Sequence, residues 1–332
     1  MPVLKRALSL KNRAISFFAG LMEKMEITLD LSPEPEGTMK NIPKNKSNLI
    51  PYQALPEEKG EILSSVQKAS VYLPPQLIAL GAYELFGFAV YKSAFMEMIG
   101  SIGQCYLHIG IVLGSQAFTY PPAIIGFVTA LVITLYIYQF AMTSGAHFNS
   151  LITIASVTTG HLPFVRGFLY IGFQVLGWYI GAEIMRSSIS REQALSIGLG
   201  ACNPGDKSYG QAFAIEFMCC MMLLFPVYGT AFNLRQREVY GPIYPPILIG
   251  VTLGILIFTG ASLGSPPFTG AGMNPSLCSG ISLSLANIPG VDQDSAFKFQ
   301  SVYWLAPIAA AISHAIIYLI MPPHHDSPDL KA

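Results

Sequence analysis

Thr269-Gly270-Ala271-Gly272-Met273-Asn274-Pro275-Ser276 is the stretch whose reading decides the fold. An earlier segment, Ser144-Gly145-Ala146-His147-Phe148-Asn149-Ser150-Leu151, repeats its pattern: small hydroxyl, Gly, Ala, any residue, bulky apolar residue, Asn. In the later copy Asn274 is placed to cap a helix. Pro275 suits the first helical position, where its fixed φ fits and its missing N–H costs nothing. Both copies follow a long apolar segment and open a short apolar run of helical character. Two such starts at matching places predict a duplicated membrane protein with half-helices pointing at a shared site.

Composition points the same way. The 332 residues are 52% hydrophobic and 11% charged, against about 25% charged in soluble domains. Six segments, near 93–114, 121–141, 164–185, 211–232, 244–264 and 302–321, are long and apolar enough to cross a hydrocarbon layer of about 30 Å. One short helix is predicted to start at Asn149, between the second and third, and another at Asn274, between the fifth and sixth. At ten to twelve residues each would be about 15–18 Å long, which is half a bilayer.

Charge sets the orientation. Ten of the nineteen basic residues, Lys5 to Lys68, precede the first span, and Arg235 and Arg237 lie between the fourth and fifth. The positive-inside rule puts these regions and both termini in the cytoplasm, against a minority of Arg186, Arg191 and Lys207 outside. A net charge of zero argues against nucleic-acid binding.

The duplication extends to ionisable groups. Glu97 lies in the first span and Glu216 in the fourth, 52 residues before Asn149 and 58 before Asn274. Three spans per half is an odd number, so the halves insert with opposite topology, as an inverted repeat about 93–186 and 211–322. The predicted organisation is a largely disordered cytosolic tail over 1–85, a membrane domain over 86–322 and a short cytosolic tail over 323–332. Within the first tail, residues 12–25 can form an amphipathic helix at the membrane surface. Ala14–Met22 is too short to span and lacks a small-residue cleavage site, so no signal peptide is expected. Asn45-Lys46-Ser47 matches a glycosylation pattern that a cytosolic tail would not use.

Cys105, Cys202, Cys219, Cys220 and Cys278 are odd in number and lack metal-ligand spacing. They predict neither a disulfide framework nor a metal site, but small buried hydrophobes. No nucleophile–base set or phosphate loop stands out, so neither an enzyme nor a cofactor is expected. Gly177 with Gly181, and Gly250 with Gly254, predict close helix approach.

The two buried glutamates and the two Gly-Ala-x-apolar-Asn motifs, with Gly210-Gln211-Ala212-Phe213 before the fourth span, resemble the aquaporin or major intrinsic protein superfamily over roughly 90–322. Leu199-Gly200-Ala201-Cys202 and Cys278 further resemble the X intrinsic proteins of fungi and plants. The resemblance implies an all-α fold of six spans and two re-entrant half-helices. It also implies a homotetramer, expected in the plasma membrane, with a passive pore for water or small neutral solutes in each protomer.

The resemblance also exposes departures. The family carries Asn-Pro-Ala twice; here the copies are Asn149-Ser150-Leu151 and Asn274-Pro275-Ser276. Its selectivity arginine sits three residues after the second Asn, where this chain has Leu277. Ser150 keeps a backbone N–H, so a half-helix over 149–158 with a less rigid contact across the pseudo-twofold is expected. The constriction implied by spacing is Thr129, Ala261 or Ser262, Ala271 and Leu277, with His147 at the cytoplasmic mouth. Pro266 and Pro267 lie in the loop that decides between Ala261 and Ser262.

Asn149 and Asn274 can cap their helices and offer amide hydrogens to a pore. Glu97 and Glu216 can be structural acceptors for loop N–H groups, or ion-coupling groups of a transporter. His108 reads as a satisfied buried group, His161 as a loop residue, and His324 and His325 as tail residues. Without the arginine the pore is expected to admit glycerol or hydrogen peroxide besides water. The rivals are an occluded protein plugged at Leu277, with a structural or junctional role, and an ion-coupled transporter.

Overall fold

Prolines and caps set where the helices begin. Pro121 and Pro122 open one long helix and Pro245 and Pro246 another, in first turns where a missing N–H is harmless. Ser208 and Gln211 form a reciprocal capping box ahead of a third. The computed structural model describes residues 73–320 except 234–235, 237–238 and 265–268. The surface helix expected at 12–25, the sequon, Arg235, Arg237, Pro266, Pro267, His324 and His325 lie outside the described residues.

Eleven α-helices are used below. They are α1 Pro75–Ala79, α2 Phe88–Ser115, α3 Pro121–Phe140, α4 Ser150–Thr158, α5 Phe164–Ser188, α6 Arg191–Ser196, α7 Tyr209–Pro226, α8 Tyr244–Ala261, α9 Pro275–Ala286, α10 Gln293–Phe297 and α11 Gln300–Ile320. Helix α7 runs on into one π-helical turn, Val227–Phe232, directly after Pro226, which has no N–H for the α-helical ladder. With that extension, α2, α3, α5, α7, α8 and α11 are long and apolar enough to cross a membrane. They coincide with the six expected spans, although α2 starts at Phe88 and α8 stops at Ala261.

Glycine brings the spans together. A Cβ on Gly177 of α5 would lie 2.5 Å from the Met98 carbonyl oxygen of α2, and one on Gly181 would lie 2.6 Å from that of Ile102. In the other half a Cβ on Gly250 would lie 2.6 Å from the Ala130 carbonyl oxygen of α3. Both spaced-glycine pairs are therefore helix contacts, where any side chain would push backbones apart. Two apolar clusters fill the interior. One joins Leu151 and Ala155 of α4 to Leu223, Leu224, Ala310 and Ala311, and the other joins Cys105, Ile109, Trp178, Ala182 and Ile281.

The expected start of order needs correction. Residues 75–85, assigned to a largely disordered tail, belong to α1 and to a 3-10 turn at Ala82–Phe86. Ile78 and Tyr83 are buried. Arg166 grips Glu84 with one edge of its guanidinium, Nη2 to Oε1 at 2.8 Å and Nε to Oε2 at 2.9 Å. The Val165 N–H also donates to the Leu80 carbonyl at 3.1 Å. The turn residues and prolines here carry no apolar periodicity, so the packing is visible only once α5 is present.

Candidate functional site

The two Asn motifs meet head to head. Asn149 caps α4 by accepting from the Leu151 N–H at 2.8 Å, and Asn274 caps α9 by accepting from Ser276 and Leu277 at 3.1 and 3.3 Å. Each side-chain amide then crosses to the other motif. Asn149 Nδ2 donates to the Met273 carbonyl at 2.8 Å and Asn274 Nδ2 to the Phe148 carbonyl at 3.1 Å. An amide NH2 has two hydrogens, so this exchange uses one from each Asn and leaves one. Both Asn residues line a continuous cavity of about 1560 Å³.

The buried carboxylates hold the loops that lead into these caps. Phe148 and Met273 adopt left-handed backbone, φ 47° and 50°, which costs a bulky residue roughly 1–3 kcal/mol. Each offsets that cost with an N–H aimed at a carboxylate. Phe148 donates to Glu97 at 2.5 Å and Met273 to Glu216 at 2.6 Å. Glu97 also accepts from Ser144, the His147 N–H and Gln174, and Glu216 from the Gly272 N–H and the Cys220 thiol. Both side chains are buried, and neither lines the cavity.

Helix α4 forms without proline, over nine residues, as its Asn cap allows. The contact across the pseudo-twofold departs from expectation. Ser150 and Ser276 hydrogen-bond through their hydroxyls, and Ser150 also donates to Gln174 Oε1 at 3.2 Å. Gln174 gives its NH2 to Glu97 and Thr153, which fixes the orientation of its amide. Since Oε1 only accepts, Ser276 donates to Ser150 and Ser150 to Gln174. A directional polar chain thus occupies the place expected to be loose.

The predicted residues divide cleanly. Thr129, Ala261, Ser262, Ala271, Leu277 and His147 all line the cavity with the two Asn residues. Ser150, Leu151, Pro275 and Ser276 are buried behind it. Thr129 Oγ1 is buried with no hydrogen-bond partner. The Ser262 hydroxyl lies 2.7 Å from that of Tyr120 and donates to the Phe258 carbonyl. Ala261 is held from behind, since a Cβ on Gly270 would fall 2.7 Å from its nitrogen.

At the opposite end His147 Nδ1 lies 3.1 Å from Thr153 Oγ1, and its ring meets Tyr170 edge-on. Tyr83, Glu84 and Arg166 line the same end of the cavity. Burial raises the Glu84 carboxyl above its ordinary range, and Arg166 opposes that rise. His161 follows α4 as expected but is more than a loop residue. It stacks on Phe232 at 5.0 Å, and Thr159 joins it to Tyr228 through bonds of 2.8 Å. His108 is satisfied, with Nε2 3.1 Å from the Gly200 carbonyl.

The cysteine expectation fails for one pair. Cys202 and Cys278 form a disulfide across 76 residues, while Cys105, Cys219 and Cys220 are free and buried as expected. An odd count conceals a single bridge, and only the fold brings residue 202 onto α9. Sequence reasoning also missed Trp178, whose indole N–H donates to the Phe148 carbonyl at 3.1 Å. Its signal was a polar edge inside an apolar span, shared with Gln174.

A family model described as major intrinsic protein matches residues 84–318. Aquaporin A of Dictyostelium discoideum is 28% identical over 233 residues, covering 69% of this chain and 77% of that protein. Aquaporin-2 of Rattus norvegicus is 26% identical over 241 residues, covering 71% and 80%. The lens fiber major intrinsic protein of Lithobates pipiens is 24% identical over 239 residues, covering 71% and 83%. Among solved structures, the aquaglyceroporin from Plasmodium falciparum shares the fold, with TM-score 0.56 and 18% identity over 69% of this chain and 95% of that one.

Proposed function

The chain belongs to the major intrinsic protein family, and we propose that its passive membrane channel passes glycerol and hydrogen peroxide along with water. It is a multi-pass membrane protein and a channel for water or small solutes, not an enzyme. The carrying observation for the finer reading is the make-up of the constriction. Leu277, Ala271 and Ala261 offer an apolar wall, and Ser262, whose hydroxyl is bonded to that of Tyr120, lines the same cavity. A polyol has one face of CH groups and another of hydroxyls, and matches such a lining. An arginine at 277 would fill that space and add fixed donors suited to water.

Discrimination against cations rests on the Asn pair. The N-termini of α4 and α9 both face it, and each helix end carries about half a positive charge. The remaining Asn N–H groups favour a neutral oxygen acceptor over a cation. Glu97 and Glu216 lie off the cavity with their oxygens taken by loop donors, which supports a structural role over ion coupling.

We place both termini in the cytoplasm and the protein in the plasma membrane, as a homotetramer. The basic tail supports this orientation. So does the Cys202–Cys278 bridge, which then lies on the oxidising side. Stopped-flow shrinkage of proteoliposomes, first with an impermeant osmolyte and then with glycerol, tests the function. Both fluxes should exceed lipid background; no excess in either would favour the occluded protein.

A further inference from the structure

The cavity's outer end is bordered by a strap, residues 198–205, tied down at two consecutive positions. Cys202 is bonded to Cys278, the residue after Leu277. Asn203 is hydrogen-bonded to Thr269 through both backbones and the Thr269 hydroxyl, which also donates to the Asn203 carbonyl at 3.2 Å. Its N–H donates to Thr269 Oγ1 at 2.8 Å, and its carbonyl accepts from the Thr269 N–H at 2.9 Å. At the strap's base Leu199 is fully buried in left-handed backbone, φ 53°, and the Gly200 carbonyl is held by His108. Gly200, Ala201, Cys202 and Asn203 all line the cavity.

The disulfide touches the constriction itself. A Cβ on Gly272 would fall 2.7 Å from the Cys202 sulfur and closer still to that of Cys278. The two sulfurs therefore lie against the backbone that carries Ala271 on one side and Met273 on the other. The Met273 carbonyl in turn receives the Asn149 amide. Strap, constriction loop and α9 are joined into one wall. With Leu277 and Ala271 supplying small, flexible-edged surfaces, the aperture depends on where backbone is held rather than on one long side chain.

We propose that the strap locked by Cys202–Cys278 sets the upper size of solute admitted, with Cys202, Cys278, Asn203 and Thr269 as positioning residues. This rests on the channel reading given above. Releasing the bridge lets residues 201–204 swing from the cavity edge and lets Gly272 relax, so bulkier polyols enter. Water, already smaller than the opening, gains little.

The test uses full-length protein in proteoliposomes and measures water, glycerol and erythritol permeability before and after a membrane-impermeant phosphine. The phosphine breaks the S–S bond, two thiols form with hydrogens from water, and phosphine oxide is released. Thiol alkylation and mass measurement verify the reduction. Reduction should raise the erythritol-to-water ratio several-fold. A Cys202→Ser/Cys278→Ser double variant should start at the raised ratio and ignore the phosphine. Thr269→Val, which keeps the bridge, should raise the ratio less.

A purely structural bridge would lower the amount of active channel and scale all three fluxes together. An unchanged ratio after verified reduction, with flux persisting, overturns the strap's role and leaves the channel reading standing. Untreated protein without flux overturns both.

Discussion

The hydroxyls of Ser150 and Ser276 hydrogen-bond to each other where the two half-helices meet, and both side chains are fully buried. Ser276 supplies the hydrogen to Ser150, which passes its own to Gln174. Removing either hydroxyl leaves a buried partner unsatisfied, at about 1–3 kcal/mol. Ser150→Ala and Ser276→Ala should each lower the thermal unfolding temperature in detergent. The double variant should cost less than the sum, since one bond is being lost twice. Full additivity would show that the two hydroxyls are energetically independent.

Glu216→Gln should disable assembly rather than transport chemistry. The substitution replaces one acceptor oxygen with a donor facing the Gly272 and Met273 N–H groups. Hydrogen bonds to a charged acceptor contribute about 1.5–3 kcal/mol each, so roughly 3 kcal/mol is at stake. The left-handed Met273 then loses what holds it. Monodisperse yield and unfolding temperature should both fall. In wild-type vesicles, glycerol flux should ignore an imposed proton gradient; flux that follows the gradient would restore the transporter reading.

Much of this arrangement is legible in the chain because membrane solvent leaves few options. Runs such as 121–140 must be helical to satisfy their backbone, and Asn274-Pro275 is a helix start wherever it occurs. The buried glutamates stand out for the same reason. What escapes the sequence is contact between distant residues. Cys202 and Cys278 are marked out by a resemblance, but nothing pairs them until α9 is placed beside the strap. Ser150 reads as a missing proline until Ser276 faces it. Glu84 reads as one more polar tail residue until Arg166 comes round from α5. The left-handed Phe148 and Met273 have no signature at all, because bulky side chains disfavour that backbone and only bonds from distant residues maintain it.

Glu84→Ala should loosen the cavity rim at the His147 end. The Glu84 side chain is 3% exposed and Arg166 22%, so its loss strands a largely buried guanidinium. The expected cost is about 1–3 kcal/mol. Limited proteolysis should cut near 75–86 faster in the variant. Arg166→Ala should act the same way, and the two together should cost less than their sum. An unchanged cleavage rate would mean that α1 is held by Ile78 and Tyr83 alone.

In the proposed channel Leu277 supplies part of the wall that favours polyols beside water. Leu277→Arg introduces a fixed cation and five donors beside Ala271, where the cavity now has an apolar wall. It narrows the opening and replaces the surface suited to CH groups. Glycerol permeability should fall by about tenfold or more, a rise on the order of 1.4 kcal/mol in its barrier, while water falls less. Leu277→Ala separates the rival account, because a plug and a wall respond oppositely to truncation. If Leu277 blocks the mouth, Ala opens it and water flux climbs steeply. If Leu277 is one wall of an open constriction, Ala leaves water nearly unchanged and raises glycerol modestly. Stopped-flow measurements on matched protein densities distinguish these outcomes directly.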